Sequence, residues 1–228
     1  MSKKAILFLA EGFEEIEALT PVDYLRRAGI EVCTAAIGAA SVTGSHGIPV
    51  IADAELAELK AGGKLVPGAW DAVLLPGGLP GASNLAASVE LGAFLKAMAG
   101  EGKIVSAICA SPAVVLAPLG LLAGRRFTCY PGMEEKVKGS ASINAEWLEE
   151  KVVIDGNIVT SRAAGTAGLW AMTLIGILAG EETAKKLTTS VLLETDSFWS
   201  ERNQARLRES LQQAEAGLLT EHELIEVD

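Results

Sequence analysis

Two long uncharged runs constrain this chain more than anything else in it. Residues 104–124 (IVSAICASPAVVLAPLGLLAG) and 163–180 (AAGTAGLWAMTLIGILAG) hold no charged side chain. Segments this apolar either cross a bilayer or lie inside a fold. A spanning helix needs about twenty predominantly apolar residues. The first run contains Pro112 and Pro118, and its front half is β-branched, so it reads as strand, then turn, then helix. The second is dense in Gly, Ala and Thr and is marginal in length. Neither carries the one-sided Lys/Arg flanks of an inserted segment. Both are therefore expected inside a protein, where parallel strands are buried on both faces, and no membrane partner is expected.

Charge narrows the partners further. The net charge is −10, with 29 Asp and Glu against 19 Lys and Arg. Such a chain repels phosphate backbones, which argues against nucleic acid, and anionic lipid surfaces are disfavoured for the same reason. The N-terminus, MSKKAILFLAEGFEEIE, begins basic, but its apolar stretch stops at Glu11 without a small-residue cleavage site, so no signal peptide is expected. The three cysteines, Cys33, Cys109 and Cys129, are an odd count without metal-like spacing or a nearby histidine. No disulfide framework and no metal site are expected, and a reduced, cytoplasmic location is the default.

Strand and helix patterns alternate along the chain. Lys4–Ala10, Ile30–Ile37, Asp71–Pro76 and Lys103–Ile108 read as buried strands. Helical stretches are expected over 14–28, 82–100, from about Ala110, over 166–179 and over 181–190. Arg126–Tyr130 reads as a further strand, and Lys151–Asp155 with Asn157–Ser161 as a hairpin. The pattern implies an α/β fold with a mostly parallel sheet between helical layers, a three-layer sandwich. Such sheets bind ligands at the carboxyl ends of their strands. The loops just after strands are therefore the informative ones: 11–17, 77–81, 109–111, 130–131 and 162–165. From about residue 195 the composition turns rich in Glu, Gln and Arg. Trp199, Leu207, Leu211 and Ala214 recur at helical spacing, which reads as a C-terminal amphipathic helix, packed on its own domain or bound to a partner.

Cys109 carries the chemistry. A strand enters, Cys109 sits at the turn, and a helix is expected to leave with Pro112 in its first turn, as at a nucleophile elbow. Small neighbours allow a sharp turn. A thiol at a helix N-terminus should have a lowered pKa, and the backbone N–H of Ala110 is placed to face a developing oxyanion. The bland alternative is a buried, inert cysteine. That reading holds for Cys33, inside a strand. For Cys109 the turn favours reactivity.

Four segments in order, GFEEIEALTPVDYLRRAG at 12–29, LLPGGLPGASNL at 74–85, AICASP around Cys109 and TSRAAGT at 160–166, resemble the ThiJ/PfpI superfamily, and within it the DJ-one subgroup, in its bacterial form. The resemblance covers about residues 3–193 and leaves 194–228 as a C-terminal extension. It implies a flavodoxin-like sandwich and a homodimer. It makes Cys109 the nucleophile, Glu17 its hydrogen-bonded acid, and Gly78, with Gly77 beside it and the N–H of Ala110, the oxyanion pocket. A shielded Glu17 would have a raised pKa and could donate a proton. Glu14 and Glu15 read instead as an acidic first turn that complements the helix dipole. Two departures stand out. Tyr130 occupies a position that is often histidine in the family, which removes the base of a cysteine protease. Ala163-Ala164 replaces a common Gly-Pro. Tyr130, Arg162 and His46 are candidate pocket residues, His46 falling where relatives often carry an arginine near the dimer interface. Cys129, one residue before Tyr130, is a candidate resolving thiol for an oxidised Cys109.

The resemblance implies a cofactor-independent glyoxalase or deglycase acting on small aldehydes such as methylglyoxal. The alternative is a non-enzymatic redox sensor or stress chaperone that uses the same cysteine. A thiamine-precursor role has no support, since GGLPG at 77–81 lacks the length and Lys–Ser/Thr ending of a phosphate loop.

Overall fold

A computed structural model describes residues 2–138, 143–193, 208–210 and 212–213. The chain divides into two units, Met1–Ser190 and Val191–Asp228. In the second, residues 208–210 and 212–213 are helical. Trp199, Leu207, Leu211 and Ala214, on which the amphipathic reading rests, lie outside the described residues.

The first unit runs β1 (Lys4–Leu9), α1 (Glu15–Arg27), β2 (Glu31–Ala36), β3 (Ser41–Thr43), β4 (Pro49–Ile51), β5 (Ala54–Glu55), α2 (Leu56–Ala61) and β6 (Ala72–Leu75). It continues with α3 (Gly81–Ala87), α4 (Val89–Gly100), β7 (Ile104–Ile108), β8 (Arg126–Phe127), α5 (Glu134–Lys138), β9 (Glu146–Trp147), β10 (Val152–Asp155), β11 (Ile158–Ser161), α6 (Ala167–Ala179) and α7 (Glu181–Ser190). Seven strands form the central sheet in the order β10-β11-β7-β6-β1-β2-β5. All neighbours are parallel except the edge hairpin β10–β11. This is the expected α/β sandwich.

Register explains the uncharged runs. Ile6, Val73 and Val105 are cross-strand partners, as are Leu7, Leu74 and Ser106. Alternate residues point to opposite faces of the sheet. Ile6, Phe8, Val73, Leu75, Val105 and Ala107 pack with Leu91, Phe94, Leu95 and Met98 of α4. Phe94 meets Phe8 edge-on, ring centres 5.9 Å apart. On the other face Trp170 of α6 is fully buried and donates its indole N–H to Ser106 Oγ at 2.6 Å, and the Ser106 hydroxyl donates in turn to the Val159 carbonyl at 2.9 Å. Both faces are covered, so β7 and α6 need no charge. No helix among the described residues is long and apolar enough to cross a membrane.

Several boundaries differ from expectation. The helix expected over 82–100 is two helices, broken at Ser88, whose Oγ accepts the Leu91 N–H and caps α4. The segment after Cys109 is a five-residue π-helical turn, Pro112–Leu116, rather than a regular α-helix. The strand expected over 126–130 stops at Phe127 and pairs with β9 in a small separate sheet. β9, the β3–β4 hairpin, β5 and α2 are additional elements, each too short to carry a periodic signal.

Candidate active site

The carboxyl ends of β1, β6, β7 and β11 converge on Cys109. Its N–H donates to the Ser161 carbonyl at 3.0 Å, and its carbonyl accepts the Tyr130 N–H at 2.8 Å. These two bonds fix the residue at the carboxyl end of β7. Its φ is +63°, a left-handed conformation that side chains other than glycine rarely adopt. Such outliers concentrate at functional sites. Ser111, fully buried, holds the turn by donating to the Pro76 carbonyl at 2.5 Å. The elbow expected from the sequence is thus present, and the thiol is half-buried at its tip.

Glu17 reaches this point from α1. Glu14 caps the helix, its Oε2 accepting the Glu17 N–H at 2.7 Å. That places Glu17 one turn in, 1 % exposed, where its Oε2 accepts the Gly77 N–H at 2.8 Å. The carboxyl also hydrogen-bonds the Cys109 thiol, and the N–H of Ala164 turns toward it. The N–H groups of Gly78 and Ala110 are directed at the Cys109 sulfur. The structure therefore brings together Cys109, Glu17, Gly77, Gly78 and Ala110. The two glycines are steric necessities. A Cβ on Gly77 would stand 2.6 Å from Cys109 Cβ and 2.7 Å from Glu17 Oε2. Gly78 has φ of +84°, and a Cβ there would meet the Glu14 nitrogen at 2.5 Å.

The acid–base state departs from expectation in one respect. Burial pushes the Cys109 thiol up to about 12, the Glu17 charge and hydrogen bond add to this, and the N–H groups of Gly78 and Ala110 only partly oppose it. The expected lowering is overturned because the following π-helical turn spans only five residues and supplies little dipole, whereas burial acts in full. Burial likewise pushes the Glu17 carboxyl up to about 7, against the Gly77 N–H. Hydrogen-bonded groups titrate as a pair. Between these values the Glu17 carboxylate faces a Cys109 thiol that still holds its proton, a base set beside a nucleophile.

The remaining candidates sit around this centre. Tyr130 contributes its backbone to Cys109 and leaves its side chain about half exposed. Arg162, next to Ser161, pairs with Glu149 at 3.3 Å. His46 lies in the turn between β3 and β4, where its Nδ1 is 2.8 Å from Glu15 Oε2 and its N–H donates to Glu15 Oε1 at 2.8 Å. Glu15 also accepts the Ile48 N–H and is 4 % exposed, so it is a buried tie between α1 and the hairpin rather than a solvated dipole partner. Glu14, Glu15 and His46 place ligand atoms within 4.8 Å of one another, a donor set able to hold a cation, but these hydrogen bonds already occupy the Glu15 oxygens. Cys129 is fully buried in the core with Phe127 and Val137, and burial, then the Glu134 charge, pushes its thiol up to about 12. Its environment is one of packing. Sequence reasoning missed the N–H of Ala164 as a Glu17 partner and the Ser161 carbonyl as the anchor of Cys109. Ala164 lies in the loop after β11, which the carboxyl-end rule had marked without assigning roles, and Ser161 is the last residue of that strand.

Comparison with known proteins identifies the family. The model of the DJ-1/PfpI family matches residues 3–176. The chain is 37% identical over 193 residues to the Parkinson disease protein 7 homolog of Danio rerio, covering 84% of this chain and 98% of that protein. It is 32% identical over 177 residues to a protein of Pyrococcus abyssi named a deglycase, covering 77% of this chain and 99% of that one. It spans only 42% and 47% of the DJ-1 homologs B and A of Arabidopsis thaliana. The crystal structure of Drosophila melanogaster DJ-1beta superposes with a TM-score of 0.76 at 35% identity, covering 84% of this chain and 98% of that chain.

Proposed function

Because the chain belongs to the DJ-1/PfpI family, we propose that it is a cysteine-dependent enzyme converting small α-oxoaldehydes such as methylglyoxal, or the adducts they form on proteins, to hydroxy acids without a cofactor. The observation that carries this reading is the buried Glu17 carboxyl, held by the Gly77 N–H at 2.8 Å, set against the Cys109 thiol on its left-handed turn.

The chemistry follows from that arrangement. The Glu17 carboxylate takes the Cys109 proton as the sulfur adds to the aldehyde carbon, forming a C–S bond. The former carbonyl oxygen becomes an oxyanion facing the N–H groups of Gly78 and Ala110. Glu17 delivers its proton to that oxygen and completes a hemithioacetal. Now ionised, Glu17 removes the hydrogen on the carbon bonded to sulfur, and the resulting enediol takes a proton at the neighbouring carbon. The product is a thioester of the hydroxy acid, which water hydrolyses to lactate, returning the thiol. Oxidation state is conserved, since one carbon is oxidised as its neighbour is reduced. The deglycase name of the Pyrococcus abyssi relative supports the adduct branch.

A homodimer fits the surface. Ile16 and Leu19 on α1 are exposed, as are Ile48 and Ile51 on the hairpin tied to α1 through Glu15. Apolar side chains concentrated on one such face suit a second copy of the chain. The redox-sensing reading uses the same thiol, so a peroxide-titrated thiol count belongs beside the enzyme assay. The deciding test is lactate formation from methylglyoxal. Cys109→Ala should abolish it in a protein that remains folded, and a Cys109→Ala protein of undiminished activity would overturn the mechanism.

A further inference from the structure

A second concavity lies at the opposite edge of the sheet. It has a volume of about 600 Å³ and is built on the amino ends of β1, β2, β6 and β7. That size suits a small organic ligand. Catalytic chemistry in such sheets gathers at the carboxyl ends, where Cys109 sits, so this hollow is separate from the candidate active site.

Its charge runs against that of the molecule. Lys3, Lys4, Lys64 and Lys103 line it with only Glu31 and Asp71, an excess of two positive charges in a chain of net charge −10. Lys3 pairs with Asp71 and Lys4 with Glu31, each at 3.2 Å. Among the described residues, Lys64 and Lys103 have no carboxylate within ion-pair distance. Lys103 immediately precedes β7, whereas Lys64 lies in the segment after α2, so the two ammonium groups enter the hollow from different segments of the fold. Trp70, whose indole N–H is held by the Lys64 carbonyl at 2.8 Å, supplies an aromatic wall.

We propose that this hollow binds a small organic dianion, with Lys64 and Lys103 each meeting one charged end and the body of the ligand lying along Trp70. A phosphate monoester and a dicarboxylate share this chemistry, and both are of a size the hollow accepts. Lysine serves such anions as a flexible point charge.

Cys33 is half-buried in the wall and reports occupancy. The test is its rate of alkylation by iodoacetamide, read by peptide mass spectrometry on the full chain, with glucose 6-phosphate, succinate or glucose added. Glucose 6-phosphate, succinate or both should slow the Cys33 reaction in a saturable way while leaving Cys109 unaffected. Protection by one of them alone names the phosphate or the carboxylate as the preferred group. Lys64→Ala and Lys103→Ala should each raise the half-protecting concentration roughly tenfold, the loss expected for one charge-assisted contact. Lys186→Ala, an exposed lysine paired with Glu182, should leave it unchanged. No protection by either dianion at roughly 10 mM, equal protection by glucose, or protection that survives both lysine substitutions would overturn the proposal.

Discussion

Glu17 accepts the backbone N–H of Gly77 at 2.8 Å while its carboxyl faces the thiol of Cys109, so one buried carboxyl is anchored by the loop after β6 and coupled to the nucleophile. The anchor fixes where the acid stands. Burial fixes how tightly it holds its proton. The predictions below separate these effects.

The raised Glu17 pKa makes stability depend on pH. Folded Glu17 titrates near 7, against an ordinary value of 4.5. Below 4.5 the carboxyl is protonated in both folded and unfolded chains, and burial costs nothing extra. Between 4.5 and 7 the unfolded chain releases its proton first, so stability falls as pH rises. Above 7 the penalty is constant, on the order of 3 kcal/mol as an upper bound. Glu17→Gln keeps an oxygen for the Gly77 N–H and removes the titration. Urea unfolding at a series of pH values should show the variant gaining on wild type up to about pH 7, then holding level.

Gly77→Ala should damage activity by forcing the nucleophile and its acid apart. The added carbon falls 2.6 Å from Cys109 Cβ and 2.7 Å from Glu17 Oε2, so nucleophile and acid must separate. A displacement of about 1 Å costs roughly a hundredfold in rate. Steady-state kinetics on methylglyoxal should show that loss chiefly in kcat, with far-ultraviolet circular dichroism unchanged.

Much of this site was legible because its signals are local. Strand, cysteine, small residues and Pro112 lie within nine positions, and the turn at Cys109 follows from them. Gly77 and Gly78 stood out as turn residues after a strand. What Glu17 does was legible only through the motif it shares with a family, since nothing in GFEEIEAL tells the glutamate that faces Cys109 from the one that caps the helix. Glu15 shows the converse: it read as a dipole partner, yet His46 and Ile48, more than thirty residues on, bury it. The thiol pKa failed for the same reason, because burial is set by elements distant in sequence. The break at Ser88 was present as a serine cap signal, but the apolar pattern on both sides of it concealed the boundary.

Ser106 is a polar residue in the middle of an apolar strand, and its function is structural. It accepts the Trp170 indole N–H at 2.6 Å and donates to the Val159 carbonyl at 2.9 Å. Ser106→Ala leaves a fully buried indole N–H without a partner. The expected loss is about 1–3 kcal/mol of stability in denaturant titration. Lactate formation at a temperature where the variant is folded should change little.

The exposed Ile51, 80 % accessible, should be covered in a dimer. Ile51→Asp is expected to convert a dimeric species to a monomer in analytical ultracentrifugation, with the fold retained. If wild type sediments as a monomer at micromolar concentration, the proposed interface is wrong.

The pH profile of Cys109 alkylation tests the shared proton most directly. Iodoacetamide reacts with thiolate, so the rate at the Cys109 peptide reports how much charge the sulfur carries. The account predicts a step in reactivity near pH 7, where the Glu17–Cys109 pair loses its first proton, and loss of that step in Glu17→Gln. A wild-type profile flat through pH 7 that rises only toward the thiol's own value of about 12 would contradict it, for Glu17 would then not act as the base that takes the thiol proton.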